Sequence, residues 1–211
     1  MFISFEGSEG SGKSSQVQTL YEFLLQSGYN VLLTREPGGT AIGEQIRLVL
    51  SNLENTAMQV RTETLLFQAS RSQLVEEVIR PYLAQGGIVL CDRYADSTLA
   101  YQGYGYQREL SMIRALIEFA TGGLKPDVTL LLDLDVEEGL KRRAKDGDWN
   151  RLDTYDLEFY RRVRQGYLEL VSEEPQRWVV IDAGKPPDQV QAAIRDVVLK
   201  KLQGYSRIDH E

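Results

Sequence analysis

Eight residues near the start of the chain have types and spacing suited to one kind of chemistry. Gly7-Ser8-Glu9-Gly10-Ser11-Gly12-Lys13-Ser14 fits G-x-x-x-x-G-K-[ST] at every fixed position, the pattern of a phosphate-binding P-loop. A polyphosphate must be surrounded by backbone N–H donors, and side chains on the turn would hold the backbone away. Gly7, Gly10 and Gly12 remove those side chains and tolerate positive φ. A helix beginning near Lys13 adds unpaired N–H groups and the positive end of its dipole. Lys13 then neutralises the β- and γ-phosphates of a nucleotide, and the Ser14 hydroxyl can ligate Mg²⁺. The nucleotide-binding stretch is read as Gly7 through Ser15, with Ser8, Glu9 and Ser11 inside it.

The plainer reading is a flexible glycine-rich loop. Its flanks argue against that. Phe2, Ile3 and Phe5 make an apolar run of strand length before it, and Val17, Leu20, Tyr21, Leu24 and Leu25 follow at helical spacing up to Gly28, a helix C-cap signal. Strand, glycine loop and helix in that order are the setting the motif requires.

Four further stretches carry chemistry. Thr34-Arg35-Glu36-Pro37-Gly38-Gly39-Thr40 predicts a sharp turn with Arg35 as an oriented cation for phosphate. Phe67 and Arg71, at i and i+4, share a helix face; a ring and a guanidinium side by side suit a nucleobase, although singly they read as core and solvated surface. In Asp92-Arg93-Tyr94-Ala95-Asp96-Ser97-Thr98-Leu99-Ala100-Tyr101-Gln102-Gly103, Arg93 can hold a second phosphate and Asp92 can orient Mg²⁺-bound water or Lys13. Ser97, Tyr101 and Gln102 offer a polar wall for a base and sugar, against the alternative of a tyrosine-rich surface loop. Lys141-Arg142-Arg143-Ala144-Lys145, followed by a stretch through Gly147 to Arg151, is either a solvated face or a lid that closes arginines over ATP.

The elements that must position these groups alternate. Apolar runs at 2–5, 31–34, 88–91, 128–132 and 178–181 are separated by helical patterns around 15–26, 41–50, 63–84, 108–121, 136–145, 156–173 and 188–202, which implies right-handed crossovers and a parallel sheet. Each run ends on or beside a charged group: Glu6, Arg35, Asp92-Arg93, Asp133 and Asp182. Ligands bind at that edge of open parallel sheets, so a shared site for an anionic ligand is expected there. A chain of 211 residues can bury one full core. A net charge of -7 argues against a nucleic-acid polymer as partner. No apolar run reaches membrane-spanning length, and no signal peptide precedes the loop. The single Cys91 cannot form an internal disulfide, which fits a reducing, cytoplasmic setting. The residues from Gly204 to Glu211, His210 among them, read as a frayed tail.

Taken together, Phe5-Glu6-Gly7 with Glu9 and Gly12-Lys13-Ser14, Arg35 to Thr40, Phe67 with Arg71, Asp92-Arg93-Tyr94, Ser97 and Ala100-Tyr101-Gln102-Gly103 make the chain resemble the thymidylate kinases from Phe2 to about Leu202. The resemblance implies a three-layer α/β P-loop NTPase fold, a five-stranded parallel sheet flanked by helices. It implies one kinase domain over 1–203 with a lid at about 141–153, and transfer of the γ-phosphate of MgATP to dTMP by a cytoplasmic homodimer. Phe67 would stack on thymine and Arg71 hydrogen-bond it. Arg93 would hold the dTMP phosphate with help from Arg35, and Pro37 would join that pocket. Tyr101 would lie against the deoxyribose, Gln102 line the base pocket and Glu9 meet the sugar. Some relatives carry a catalytic arginine in the P-loop, where this chain has Gly10; the lid arginines Arg142, Arg143 and Arg151 would supply it instead, with Arg151 favoured over Arg143. Arg142 and Ala183, in the Asp182-Ala183-Gly184 turn, are the candidates for adenine.

Two other readings share the P-loop. A nucleotide switch would need Asn-Lys-x-Asp after a strand, and Leu124-Lys125-Pro126-Asp127 lacks the Asn and precedes its strand. A deoxynucleoside kinase would not need Arg93 and Arg35, which favour an acceptor already carrying phosphate.

Overall fold

The structure, a computed structural model, describes residues 1–146, 151 and 155–203. Most of the expected lid between 147 and 154, and the expected tail from 204 on, lie outside the described residues.

Five parallel strands, β1 (Phe2–Glu6), β2 (Val31–Arg35), β3 (Ile88–Asp92), β4 (Val128–Asp133) and β5 (Trp178–Asp182), form one sheet in the order β2-β3-β1-β4-β5. Every strand ends on the charged residue that closes its apolar run. The ladder simply continues one residue further, because the backbone of that residue still pairs while its side chain leaves the sheet edge. Neighbours β1 and β3 are followed by connections that leave in opposite directions, to β2 and to β4. A crevice therefore opens between their C-terminal ends.

Alternating residues supply the two cores. Ile3, Phe5, Leu90, Leu130 and Leu132 pack on one face against Val17, Leu20 and Leu24 of α1 (Lys13–Gln26) and Val190, Ile194 and Val198 of α9 (Pro187–Lys201). On the other face, Phe2, Val89 and Cys91 meet Leu74, Val75 and Ile79, while Leu131 meets Tyr160, Val163 and Tyr167 of α8 (Leu157–Glu173). The thiol of Cys91 is buried in that layer. These are the three layers expected of the fold.

The remaining helices are α2 (Ala41–Ser51), α3 (Val60–Leu74), α4 (Arg80–Ala84), α5 (Ala95–Thr98), α6 (Leu110–Thr121) and α7 (Val136–Asp146). What reads as one helix over 63–84 begins earlier and contains a π-helical turn, Val75–Ile79, between α3 and α4. The stretch after Tyr94, for which a tyrosine-rich surface loop was the alternative to a polar wall, is helical: α5 runs into a second π-helical segment, Leu99–Gly105. Glycine and tyrosine content hid it. Gly105 sits so close to Phe159 and Val163 of α8 that no side chain would fit, and this packing overrides propensity. Asp127 of the near-match to a guanine motif accepts the Phe2 N–H at 2.7 Å, an anchor for the first strand. No helix among the described residues is long and apolar enough to cross a membrane.

Candidate active site

A cavity of about 660 Å³ opens at the C-terminal edge of the sheet, within the range usual for small-molecule sites. One end is the P-loop, with Glu9, Gly10, Gly12, Lys13, Ser14 and Ser15 in its wall; the other holds Pro37, Phe67, Arg71, Ser97, Tyr101 and Gln102. Arg93 lies between them.

Side chains of the loop bond back to it. Ser11 Oγ donates to the Ser8 carbonyl at 2.8 Å, and Lys13 Nζ donates to the same carbonyl at 2.7 Å and to Ser11 Oγ at 3.1 Å. Burial and the nearby Arg93 charge bring the Lys13 ammonium down to about 8, against the opposing pull of Glu9, Asp92 and Glu6. Ser14 Oγ donates to Asp92 Oδ2 at 2.5 Å, pairing two hard oxygen donors beside the loop. Gly10 has φ 69° and abuts Gly139 of α7; a Cβ there would overlap the Gly139 carbonyl. No arginine could occupy position 10 with α7 where it is. The contact also seats the helix that carries Arg142 and Arg143 directly on the phosphate loop.

Arg93 is the hub. Its backbone has φ 68°, a conformation that costs a non-glycine residue energy and marks functional positions. Its guanidinium reaches the P-loop, where it donates to Glu9 Oε1 at 2.6 Å and to the Gly7 carbonyl at 3.0 Å. Ser97 Oγ at 3.3 Å and Tyr167 OH at 3.4 Å complete its surroundings, and its charge lies over the Tyr101 ring at 5.0 Å. Burial alone would raise the Glu9 carboxyl, but Arg93 and Lys13 outweigh it, with the Tyr101 hydroxyl donating at 2.9 Å, and hold it low. Behind Arg93, buried Glu6 accepts from Ser97 Oγ at 2.6 Å, Tyr167 OH at 3.0 Å and Tyr94 N at 2.8 Å. Burial and the Asp96 charge raise its carboxyl to about 7 despite those donors.

The turn after β2 serves differently from expectation. Arg35 is half exposed and donates to the Pro37 carbonyl at 2.9 Å and to Glu44 at 3.0 Å. Arg47 of α2, which the sequence reading missed, reaches the same carbonyl at 3.1 Å and is the cation from this region in the cavity wall. Thr40 caps α2 by accepting from Gly43 N at 2.9 Å. Glu36 enters the interior to hold Arg71.

Phe67 and Arg71 do share the cavity wall. Arg71, however, is 1% exposed and commits its N–H groups to protein acceptors. Nε and Nη2 bond Glu36 Oε2 at 2.8 and 2.6 Å; Nη1 bonds Gln68 Oε1 at 2.9 Å and Thr98 Oγ1 at 3.0 Å; Nη2 bonds the Tyr94 carbonyl at 3.0 Å. Any base contact by Arg71 must share one of these bonds. Tyr155, also unforeseen, is part of the wall as well.

The three arginines expected to form a lid separate. Arg143 lines the cavity, and its charge is among those that lower Glu9. Arg142 donates to the Ala183 carbonyl at 3.1 Å and pairs with Glu138, so the two adenine candidates do meet. Arg151, favoured from sequence for the transferred phosphate, is instead buried at the acceptor end. It is paired with Glu63 at 2.7 Å and donates Nε to the Leu50 carbonyl at 2.7 Å. Its partners draw it there because a guanidinium out of water needs a carboxylate.

A family model described as Thymidylate kinase matches residues 5–194. A thymidylate kinase of Roseiflexus castenholzii is 51% identical, the match covering 99% of this chain and 97% of that protein. One of Herpetosiphon aurantiacus is 52% identical over 87% of this chain and 89% of its own length. Among solved structures, thymidylate kinase from Ehrlichia chaffeensis superposes with a TM-score of 0.78 at 36% identity, covering 94% of this chain and 98% of that one.

Proposed function

The chain belongs to the thymidylate kinase family, and from that premise we infer how its residues divide the work. The enzyme is a nucleoside monophosphate kinase that moves the γ-phosphoryl group of ATP to dTMP, giving dTDP and ADP. An oxygen of the dTMP phosphate forms the new bond to the γ-phosphorus as the bond to the ADP oxygen breaks. The observation that carries the reading is the strained Arg93, fixed between the P-loop and a pocket walled by Phe67, Tyr101 and Gln102. A cation there suits an acceptor that already bears a phosphate, which a nucleoside lacks.

In this scheme Gly7 to Ser15 receive the ATP phosphates, and Lys13 exchanges its bonds to Ser8 and Ser11 for phosphate oxygens. Ser14, with Asp92 beside it, would hold Mg²⁺, which takes such oxygen donors together with phosphate and water. When bound, the ion spreads the charge on the β- and γ-oxygens. Arg142 and Ala183 flank adenine. Arg93 and Arg47 hold the dTMP phosphate, Phe67 stacks on thymine, Gln102 faces its edge, and Tyr101 and Glu9 border the sugar. Arg35 braces the Pro37 turn from outside, and Arg71 serves through its place in the wall.

A coupled assay of ADP release should respond to dTMP and not to thymidine. Arg93→Ala should damage use of dTMP far more than binding of ATP. Phe67→Ala should weaken dTMP binding by roughly 1–3 kcal/mol, the scale of aromatic–base stacking. Calorimetric dTMP affinity unchanged in both variants would remove the acceptor from this pocket.

A homodimer is part of the same reading. Helix α3 packs against both α2 and α6, and the three carry exposed Leu48, Leu65, Met112 and Phe119, the last 89% exposed. Such an apolar face suits a second copy. The protein should sediment as a dimer, with Phe119→Asp shifting it to monomer; a wild-type monomer at micromolar concentration would discard the idea. A cytoplasmic setting, with Cys91 kept as a buried thiol, fits these substrates.

A further inference from the structure

Glu63, in the first turn of α3, is a carboxylate the chemistry above does not use. A glutamate at that point of a helix ordinarily faces water and favours the dipole. This one is 1% exposed and has three partners. Its Oε1 accepts from Gln102 Nε2 at 2.8 Å, and its Oε2 pairs with Arg151 Nη2 at 2.7 Å and accepts from Tyr155 OH at 3.2 Å. Tyr106 OH donates in turn to Tyr155 OH at 2.8 Å. Glu63 does not itself line the cavity, whereas Gln102 and Tyr155 do.

The chemistry of that contact fixes a direction. A carboxylate paired with arginine only accepts hydrogen bonds, so it must face the NH₂ end of the Gln102 amide. The carbonyl Oε1 of Gln102, at a residue in the cavity wall, is then left as the end offered to a ligand. An acceptor in that place suits a base edge that carries a ring N–H. Thymine and uracil have one at N3, while the cytosine N3 is itself an acceptor and would be opposed to Gln102 Oε1. We propose that Glu63 is a positioning residue for base selection: by fixing the polarity of the Gln102 amide it makes the acceptor pocket select imide pyrimidines over cytosine. The proposal rests on the dTMP reading above.

Glu63→Gln is nearly isosteric, but its amide can donate as well as accept, so Gln102 gains freedom to turn over. Relative to wild type, dTMP and dUMP should weaken together, roughly three- to tenfold, the worth of one hydrogen bond. Inhibition by dCMP against dTMP phosphorylation should hold or strengthen. A merely structural glutamate would weaken all three alike. Glu63→Asp, which keeps an acceptor-only carboxylate, should retain the preference. In a Gln102→Ala background, Glu63→Gln should cost dTMP nothing further. If Glu63→Gln does not fold, Gln102→Ala alone must lose discrimination against dCMP. Equal weakening of all three monophosphates, an undiminished cost in the Gln102→Ala background, or full discrimination by Gln102→Ala would each overturn the proposal. Failure of the wild-type enzyme to phosphorylate dTMP would instead sink the functional reading beneath it.

Discussion

Lys13→Ala is expected to lower kcat by roughly 10²–10³, the scale of removing one preorganised donor from developing charge, while circular dichroism stays that of the wild type. Lys13 is 6% exposed and its bonds are to its own loop, so its loss unpicks little of the core. Its contacts to Ser8 and Ser11 are short and polar, and in the proposed scheme they hold the ammonium where the β- and γ-oxygens would come. Phosphate oxygens compete for it better than a carbonyl because both partners are then charged. The same residue should leave a signature in pH. Burial and Arg93 bring its pKa to about 8, so the cation is lost as pH rises through that value. Bound phosphate, an anion, favours the protonated form and moves the loss to higher pH. The kcat/KM for ATP should therefore fall above about pH 8, since that ratio reports the free enzyme, while kcat at saturating nucleotide holds further. Lys13→Ala should lack this alkaline limb. Near-normal kcat in a folded variant would take Lys13 out of the mechanism.

How much of this was legible in the sequence depended on whether a residue's role is fixed locally. The strand, glycine turn and helix at Phe2 to Gln26 were, because the spacing of that turn and its flanks sets their conformation. The strands were, since a short apolar run ending in a charge is the pattern of a buried strand that reaches the sheet edge. Arg47 and Tyr155 were not: each reaches the cavity only because α2 or α8 packs as it does, and neither sits in a distinctive local pattern. Phe67 and Arg71 were placed on one face by their i, i+4 spacing, but spacing could not show that Glu36 would claim the guanidinium. Glu63 looks like any glutamate of a first helical turn until Gln102 and Arg151 are brought to it. The helical run from Ala95 to Gly105 was hidden because its glycines signal turns, whereas here they permit close approach to α6 and α8.

Among the lid arginines, Arg143→Ala is expected to collapse kcat, and Arg151→Ala is not. From sequence, Gly10 supplies no cation, one must come from the basic segment, and Arg151 is favoured over Arg143. The structure supplies a reason to choose. Arg142 and Arg143 are successive residues on α7, about 100° apart around the helix. Arg142 points to the Ala183 carbonyl, while Arg143 enters the cavity near Glu9. Because Gly139 rests on Gly10, α7 holds Arg143 in a fixed relation to the loop proposed to receive the γ-phosphate. Arg151 is committed elsewhere, with Glu63 and Leu50 as its partners. An arginine placed on a migrating phosphoryl group is worth roughly 10³–10⁵ in rate. Arg143→Ala should therefore lower kcat on that scale with KM for dTMP little changed, the pattern of an interaction made mainly in the transition state. Arg142→Ala should chiefly raise KM for ATP. Arg151→Ala should leave Glu63 buried without its cation, lowering the unfolding midpoint and weakening dTMP binding more than it slows transfer. Wild-type kcat in Arg143→Ala, or a larger loss of kcat in Arg151→Ala, would return the role to Arg151 and require the lid to rearrange around bound nucleotides.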